Sequence, residues 1–253
     1  MQENKVKAKM ASGRPVYGVI SPTTDPVICE YLGWSGLDFY MIDGEHGPLT
    51  PSDVAHLVRA CEIAGITPLA RVRSLDEKLI LQFLDAGVMG IMMPGVQNLA
   101  DIEKLVNAVR YPPVGLRGVG PVRAARYFMG PMSQAEYVGF ANQQILILPQ
   151  VEDLEAVRNL PEMAQHPQVD GFIIGPRDLA MAMGFTDGPN HPEVKAVIDD
   201  IFRIALEAGK QVGTVAGTAE QARALVEKGA TLILNSVQGL LSAGTSAFLK
   251  PQT

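Results

Sequence analysis

Residues 66–93 read ITPLARVRSLDEKLILQFLDAGVMGIMM. Thr67–Val72 is a short apolar run interrupted by Arg71. Asp76–Ala86 then carries apolar residues at helical spacing, Gly87 stops it, and Gly90–Met93 is apolar again. Aspartate before the periodic stretch and glycine after it are the residues that cap a helix at its two ends. The segment is therefore strand, helix, strand, the connection that joins parallel neighbours in a sheet.

The same pattern extends in both directions. Apolar runs fall at Val16–Ile20, Asp38–Ile42, Thr67–Val72, Gly90–Met93, Ile145–Gln150, Gly171–Ile174, Gln211–Val215 and Thr231–Leu234. They are continuous rather than alternating, as in strands buried on both faces of a parallel sheet. Helical stretches separate most of them, at Ser52–Ala64, Asp76–Ala86, Ala100–Val109, Asp153–Met163, Glu193–Ala208 and Ala219–Lys228. Several end at Gly65, Gly87, Gly209 or Gly229. Eight such units in 253 residues predict one (β/α)₈ TIM barrel spanning 1–253, since that fold typically needs about 250 residues. Two connections, Tyr111–Gln144 and Ala182–Pro192, exceed a simple turn and read as functional loops.

Composition narrows the function. A net charge of −6, with Lys and Arg scattered through the chain, argues against nucleic-acid binding. Lys5, Lys7 and Lys9 form the one basic cluster and read as a solvated end. No apolar run approaches the roughly 18–20 residues of a membrane helix, and Cys29 and Cys61 lack metal or redox spacing. Both read as reduced core thiols of a soluble, cytoplasmic protein.

Barrel chemistry sits at the carboxyl ends of the strands. There the sequence places Asp43, Glu45 and His46 after the second run, Arg71 in the third, Gln150 and Glu152 at the fifth, and Gly175-Pro-Arg-Asp178 after the sixth. Arg71 and Glu152 lie in or beside apolar runs, where an unpaired charge is costly. Two carboxylates without a thiolate cluster favour a hard cation such as Mg²⁺ or Mn²⁺, with water and substrate completing the shell. Imidazole exchanges protons near neutrality, which makes His46 a candidate base. No lysine stands at a strand's carboxyl end, so a Schiff base has no evident nucleophile. Gly115-Leu-Arg-Gly-Val-Gly120 neither follows a strand directly nor opens a helix, and reads as a tight loop rather than a nucleotide-cofactor site.

Seven pieces occur together in order: Ile42-Asp-Gly-Glu-His-Gly47, Ala70-Arg-Val72, Leu84-Asp-Ala-Gly87, Met93-Pro-Gly-Val-Gln-Asn98, Arg110-Tyr-Pro-Pro-Val-Gly-Leu-Arg-Gly-Val-Gly120, Gln150-Val-Glu152 and Gly171-Phe-Ile-Ile-Gly-Pro-Arg-Asp-Leu179. The set, covering roughly residues 15–235, resembles the HpcH/HpaI family of metal-dependent (class II) pyruvate aldolases, which contains 2-keto-3-deoxyglucarate aldolase and 4-hydroxy-2-oxoheptane-1,7-dioate aldolase. The resemblance implies that Glu152 and Asp178 bind a divalent metal, Mg²⁺ or Mn²⁺ with Co²⁺ as a further candidate. Pyruvate would chelate it through a carboxylate and the keto oxygen. Arg71 would sit beside the keto oxygen and His46 would be the acid/base, oriented by Asp43 and Asp85. Gln150 would lie near the metal's waters, and the backbone around Gly175, Pro176 and Asp178 would hold the pyruvate carboxylate. It also implies a hexamer, a trimer of dimers with an exchanged C-terminal helix, in which Asp85 reaches a neighbour's site.

The chain departs from that pattern in places. Arg73 stands where relatives often carry proline or a small residue, and Asn235-Ser-Val-Gln-Gly239 replaces a Gly-x-Asp ending. Arg73 or Arg123 could meet a distal carboxylate of the aldehyde, or either could make a surface or interface ion pair. The expected reaction is reversible cleavage of a 4-hydroxy-2-oxo acid, of the 2-keto-3-deoxy sugar acid or 4-hydroxy-2-oxo-dioate type, to pyruvate and an aldehyde. Two alternatives stay open: a citrate-lyase-β-like acyl-CoA lyase and a non-catalytic oxo-acid-binding barrel.

Overall fold

The computed structural model describes residues 1–250. Its strands are β1 (Val16–Ser21), β2 (Phe39–Asp43), β3 (Thr67–Arg71), β4 (Gly90–Met93), β5 (Leu146–Val151), β6 (Gly171–Ile174), β7 (Gln211–Val215) and β8 (Leu232–Ser236). All are parallel and adjacent in sequence order, and β8 pairs back on β1 from Val16–Leu232 to Ile20–Ser236. The result is a closed (β/α)₈ barrel. Every expected strand is present, with ends within a residue or two of the sequence reading.

The helices in chain order are α1 (Lys5–Ala11), α2 (Pro26–Trp34), α3 (Pro51–Ala64), α4 (Glu77–Ala86), α5 (Leu99–Val109), α6 (Gln134–Gln144), α7 (Leu154–Met163), α8 (Pro176–Ala182), α9 (Pro192–Glu207), α10 (Ala219–Glu227) and α11 (Val237–Leu249). Local chemistry fixes their ends. Thr50 and Asp53 form a reciprocal capping box on α3, Asp76 caps α4, and Gly87 closes α4 at φ +112°. Strand alternation then sorts the core. Phe39, Met41, Leu69, Met92, Leu146, Leu148, Ile173, Leu232 and Leu234 fill the barrel, while Tyr40, Ile42, Ala70, Ile91, Ile147 and Phe172 pack outward against the helices.

The N-terminal lysines are not a solvated tail. They lie on α1, whose buried Val6 and Met10 join the interior cluster with Val16 and Phe39. Lys7 pairs with Asp170 at 2.9 Å and Lys9 with Asp38 at 2.8 Å, both acids just before strands. Asn4 donates to the Met89 and Gln144 carbonyls at 2.9 and 2.8 Å. Helix α1 thus plugs the amino-terminal end of the barrel, and its charges pair with the rim around the plug. The Tyr111–Gln144 connection is not loop throughout, since it contains a 3₁₀ turn at Arg123–Phe128 and helix α6. Gly115–Gly120 is a loop, as expected.

At the chain's other end α11 buries only Val237 and leaves Leu241, Phe248 and Leu249 exposed. Beside it, a groove of about 360 Å³ between Tyr17, Leu37, Ala222 and Ile233 stays open. Among the described residues no helix is long and apolar enough to cross a membrane.

Candidate active site

The register of β2 against β3 sets Asp43 directly beside Arg71 at the carboxyl mouth of the barrel. Asp43 Oδ1 accepts from Arg71 Nε at 2.9 Å and Oδ2 from Nη2 at 2.7 Å, a two-pronged pair in which both side chains are buried. Glu45 Oε2 stands 3.0 Å from the remaining Nη1. Each of the three guanidinium nitrogens thereby has a carboxylate partner, and among the described residues the second N–H on each Nη is left free to donate. Asp43 Oδ1 also accepts the backbone N–H groups of Glu45 and His46, each at 3.2 Å, so it shapes the loop that carries both. Burial alone would raise the Asp43 pKa, but Arg71's hydrogen bonds and charge, with the two loop amides, hold it below the usual value.

Across the mouth, β5 ends in Gln150, Val151 and Glu152. Glu152 Oε1 accepts the Gly95 N–H at 2.8 Å, and Oε2 accepts from Gln150 Nε2. Gly95 reaches this position because it adopts φ +66°, a conformation that favours glycine. Burial pushes Glu152 above the ordinary carboxylate range, and the charges of Glu45 and Asp178 push the same way against the Gly95 amide and Arg71. Two further carboxylates and one guanidinium thus act on it electrostatically. Asp178 lies in the first turn of α8, which begins directly after β6 and Gly175. A Cβ on Gly175 would come within 2.6 Å of Gln150 Nε2 and 3.0 Å of Glu152 Cβ, so glycine there keeps the carboxylate seated.

The donor set fits a hard divalent cation. Its candidate donors are oxygens, it contains a carboxylate raised by burial and by neighbouring acids, and Gln150 Oε1 is buried without a hydrogen-bond partner. Among the described residues no cluster of three His, Cys, Asp or Glu is placed to hold a metal, so Glu152 and Asp178 would be a two-carboxylate site needing further oxygens from outside the chain.

Other expected residues fall differently. The His46 side chain is two-thirds exposed, and its nearest acid is Glu45, with Nε2 to Oε2 at 3.9 Å. Asp43 does not hold the imidazole, because both its oxygens are committed to Arg71 and the loop backbone. Asp85 is on the last turn of α4, where it accepts from Arg117 Nη2 at 2.8 Å; within one chain it does not meet His46. Arg123 donates to Glu62 and to the Ala86 carbonyl beside the plugged end, away from the mouth. Two participants were not assigned a role from the sequence: Glu45, which was placed at the strand end with Asp43, and Gly95. The Glu45 contact with Arg71 follows from its place two residues after Asp43, whereas the Gly95 contact depends on the segments after β4 and β5 meeting.

Comparison with known proteins adds independent information. A profile described as HpcH/HpaI aldolase/citrate lyase matches residues 17–243. A Shigella flexneri protein named 4-hydroxy-2-oxo-heptane-1,7-dioate aldolase is 37% identical over 243 residues, 95% of this chain and 90% of that one. A Pseudomonas aeruginosa hydroxypyruvate/pyruvate aldolase is 38% identical over 232 residues, 91% of this chain and 85% of that one. Among solved structures, a Burkholderia cenocepacia HpcH/HpaI aldolase/citrate lyase family protein superposes with a TM-score of 0.91 at 33% identity, covering 99% of this chain and 100% of that chain.

Proposed function

The chain belongs to the HpcH/HpaI aldolase/citrate lyase family, and from that premise we propose that it is a class II aldolase that reversibly cleaves a 4-hydroxy-2-oxo acid into pyruvate and an aldehyde. The observation that carries the reading is the mouth itself. There Arg71, clamped by Asp43 and Glu45, shares the site with Glu152, whose carboxyl is raised by burial and, after it, by the charges of Glu45 and Asp178.

When the C3–C4 bond breaks, negative charge collects on the C2 oxygen of the pyruvate portion. The Arg71 guanidinium, held before substrate arrives, offers donors and charge to that oxygen without reorganising. Glu152 and Asp178 would hold the divalent cation, with Gln150 beside it. Bound there, Mg²⁺ or Mn²⁺ supplies Lewis acidity and a template for the oxo acid. The backbone around Gly175–Asp178 receives the pyruvate carboxylate. His46, exposed on the loop that Asp43 ties down, takes the 4-hydroxyl proton directly or through water. Protonation of the resulting enolate completes pyruvate. Similarity to the two aldolases named above supports the substrate class, either a 2-keto-3-deoxy sugar acid or a 4-hydroxy-2-oxo-dioate.

Asp85 joins His46 only from a second copy. We therefore take the working form to be a homo-oligomer, a hexamer with the C-terminal helix exchanged, acting in the cytoplasm. Exposed apolar residues on α11 beside an open groove support the exchange. Light scattering at one chain's 27.1 kDa would refute it.

The direct test is pyruvate release from 4-hydroxy-2-oxoheptanedioate, coupled to lactate dehydrogenase. Activity should vanish after EDTA dialysis and return with Mg²⁺ or Mn²⁺. Full turnover in the chelated protein would contradict the proposal.

A further inference from the structure

The Arg117 side chain is fully buried, yet its guanidinium has one anionic partner, Asp85, whose Oδ1 accepts from Nη2 at 2.8 Å. Among the described residues Nε and Nη1 are shielded from solvent and have no hydrogen-bond partner. The guanidinium carbon stands 4.4 Å from the centre of the Tyr111 ring. Asn142 on α6 pins Tyr111 in turn, accepting its N–H at 2.7 Å and donating to its carbonyl at 3.0 Å. The Gly115–Gly120 loop delivers the side chain. A Cβ on Gly115 would come within 2.5 Å of the Arg110 carbonyl oxygen, so glycine lets the loop close on the end of α5. Burying a guanidinium with two nitrogens unpaired is unfavourable, and the stability of the fold does not account for it.

The group it holds is also out of place for stability. Asp85 lies in the last turn of α4, where the helix dipole disfavours a carboxylate. Arg117 engages only Oδ1; among the described residues Oδ2 accepts no hydrogen bond, and the side chain is 24% exposed. A carboxylate fastened by a rigid, buried cation and left with one free oxygen is presented to a group outside its own chain. Helix α4 leads from the carboxyl end of β3 to the amino end of β4, so Asp85 lies away from its own barrel mouth. His46 has the complementary deficit. Its exposed imidazole has no acid nearer than Glu45 at 3.9 Å, and a base works when a third group fixes its orientation.

We propose that Arg117 is a positioning residue that fastens Asp85 for His46 of a second copy, an inference that rests on the aldolase and oligomer reading above. Asp85 orients that imidazole, and Arg117, stacked on Tyr111, keeps the carboxylate in place. Each mouth then depends on the Gly115–Gly120 loop of another chain.

The test is kcat and KM for pyruvate release from 4-hydroxy-2-oxoheptanedioate by the Mg²⁺-loaded protein. Arg117→Met should lower kcat about tenfold or more, part of the roughly 10²–10⁴-fold that a positioned base contributes, and leave KM near the wild-type value. Arg117→Lys, which keeps one charged donor for Asp85, should recover part of the loss. In an Asp85→Asn background, Arg117→Met should change kcat less than about twofold, because the two residues act as a unit. Co-expressed His46→Ala and Arg117→Met chains should form mixed oligomers more active than the sum of the two parents. A mouth with intact His46 then meets a neighbour with intact Arg117. An unchanged kcat in Arg117→Met overturns the inference, as does an equal loss in the Asp85→Asn background or no gain from mixing. Loss of assembly in both Arg117→Met and Arg117→Lys marks a packing role and overturns it too. Deuterium exchange of the pyruvate methyl group by the wild type, run in parallel, separates this from the aldolase reading. Exchange with an unaffected Arg117→Met overturns Arg117 alone, and absent exchange overturns both.

Discussion

Replacing Arg71 with alanine is expected to lower pyruvate-forming turnover about 10²–10³-fold, the usual consequence of removing one preorganised donor from a developing oxyanion. It should also destabilise the fold by about 3–5 kcal/mol, because the buried Asp43 loses its counter-charge. The two effects separate in Arg71→Lys, which restores a positive charge but not the two-pronged hydrogen bond. That variant should recover most of the stability and little of the turnover. Acid titration offers a second check. Asp43 is held below its unfolded value of about 3.9. The pair's contribution is therefore complete above that value and disappears as pH falls through the folded pKa. Wild-type stability should lose this component on acidification, and Arg71→Ala should lack it throughout. Near-normal turnover in Arg71→Ala would remove the guanidinium from the chemistry.

For Glu152→Gln the activity and the stability of the metal-free protein are expected to move in different directions. Turnover should fall about 10³-fold or more, since a Lewis acid contributes several kcal/mol to such a step. The metal-free variant should nevertheless be at least as stable as the metal-free wild type. Burial and two neighbouring carboxylates make the Glu152 charge unfavourable in the fold, and a neutral amide relieves that. Thermal unfolding provides the comparison. A divalent cation at about 100 times its Kd adds about 2.7 kcal/mol to a protein that binds it. The wild-type Tm should therefore rise with Mn²⁺, while that of Glu152→Gln should not. Equal rises would place the cation elsewhere.

The barrel was legible because each unit carries its own signals. Asp76 and Gly87 bracket α4, and the strands are unbroken apolar runs. Five helices, α1, α2, α6, α8 and α11, lie outside the six helical stretches quoted from the sequence, and three of them show the physical reasons. Helix α1 is read from two apolar residues, Val6 and Met10, among lysines whose partners Asp38 and Asp170 are far away in sequence. Helix α6 buries only Tyr137 and Ala141, although Ser133 and Glu136 form a capping box that the sequence displays. Helix α8 is only seven residues long and begins one residue after β6, at Pro176.

At the site, Arg71 and Glu152 stood out as charges in apolar runs. Which carboxylate meets which cation was not legible, because it depends on strand register. Asp43 lies beside Arg71 through the pairing of β2 with β3, and that pairing takes Asp43 away from the imidazole. Asp85 shows the same limit from the other side. The family resemblance alone suggested its role beside the histidine, while its partner within one chain is Arg117.

The central claim is that this mouth forms the pyruvate enolate with the help of a divalent cation, and one measurement reaches it without knowledge of the aldehyde. Proton NMR of pyruvate in D₂O, with the purified protein and Mg²⁺ or Mn²⁺, follows the methyl protons directly. The account predicts progressive loss of the methyl signal, abolished by EDTA and absent in Glu152→Gln. A methyl signal that persists with either cation in the folded wild-type protein would contradict it.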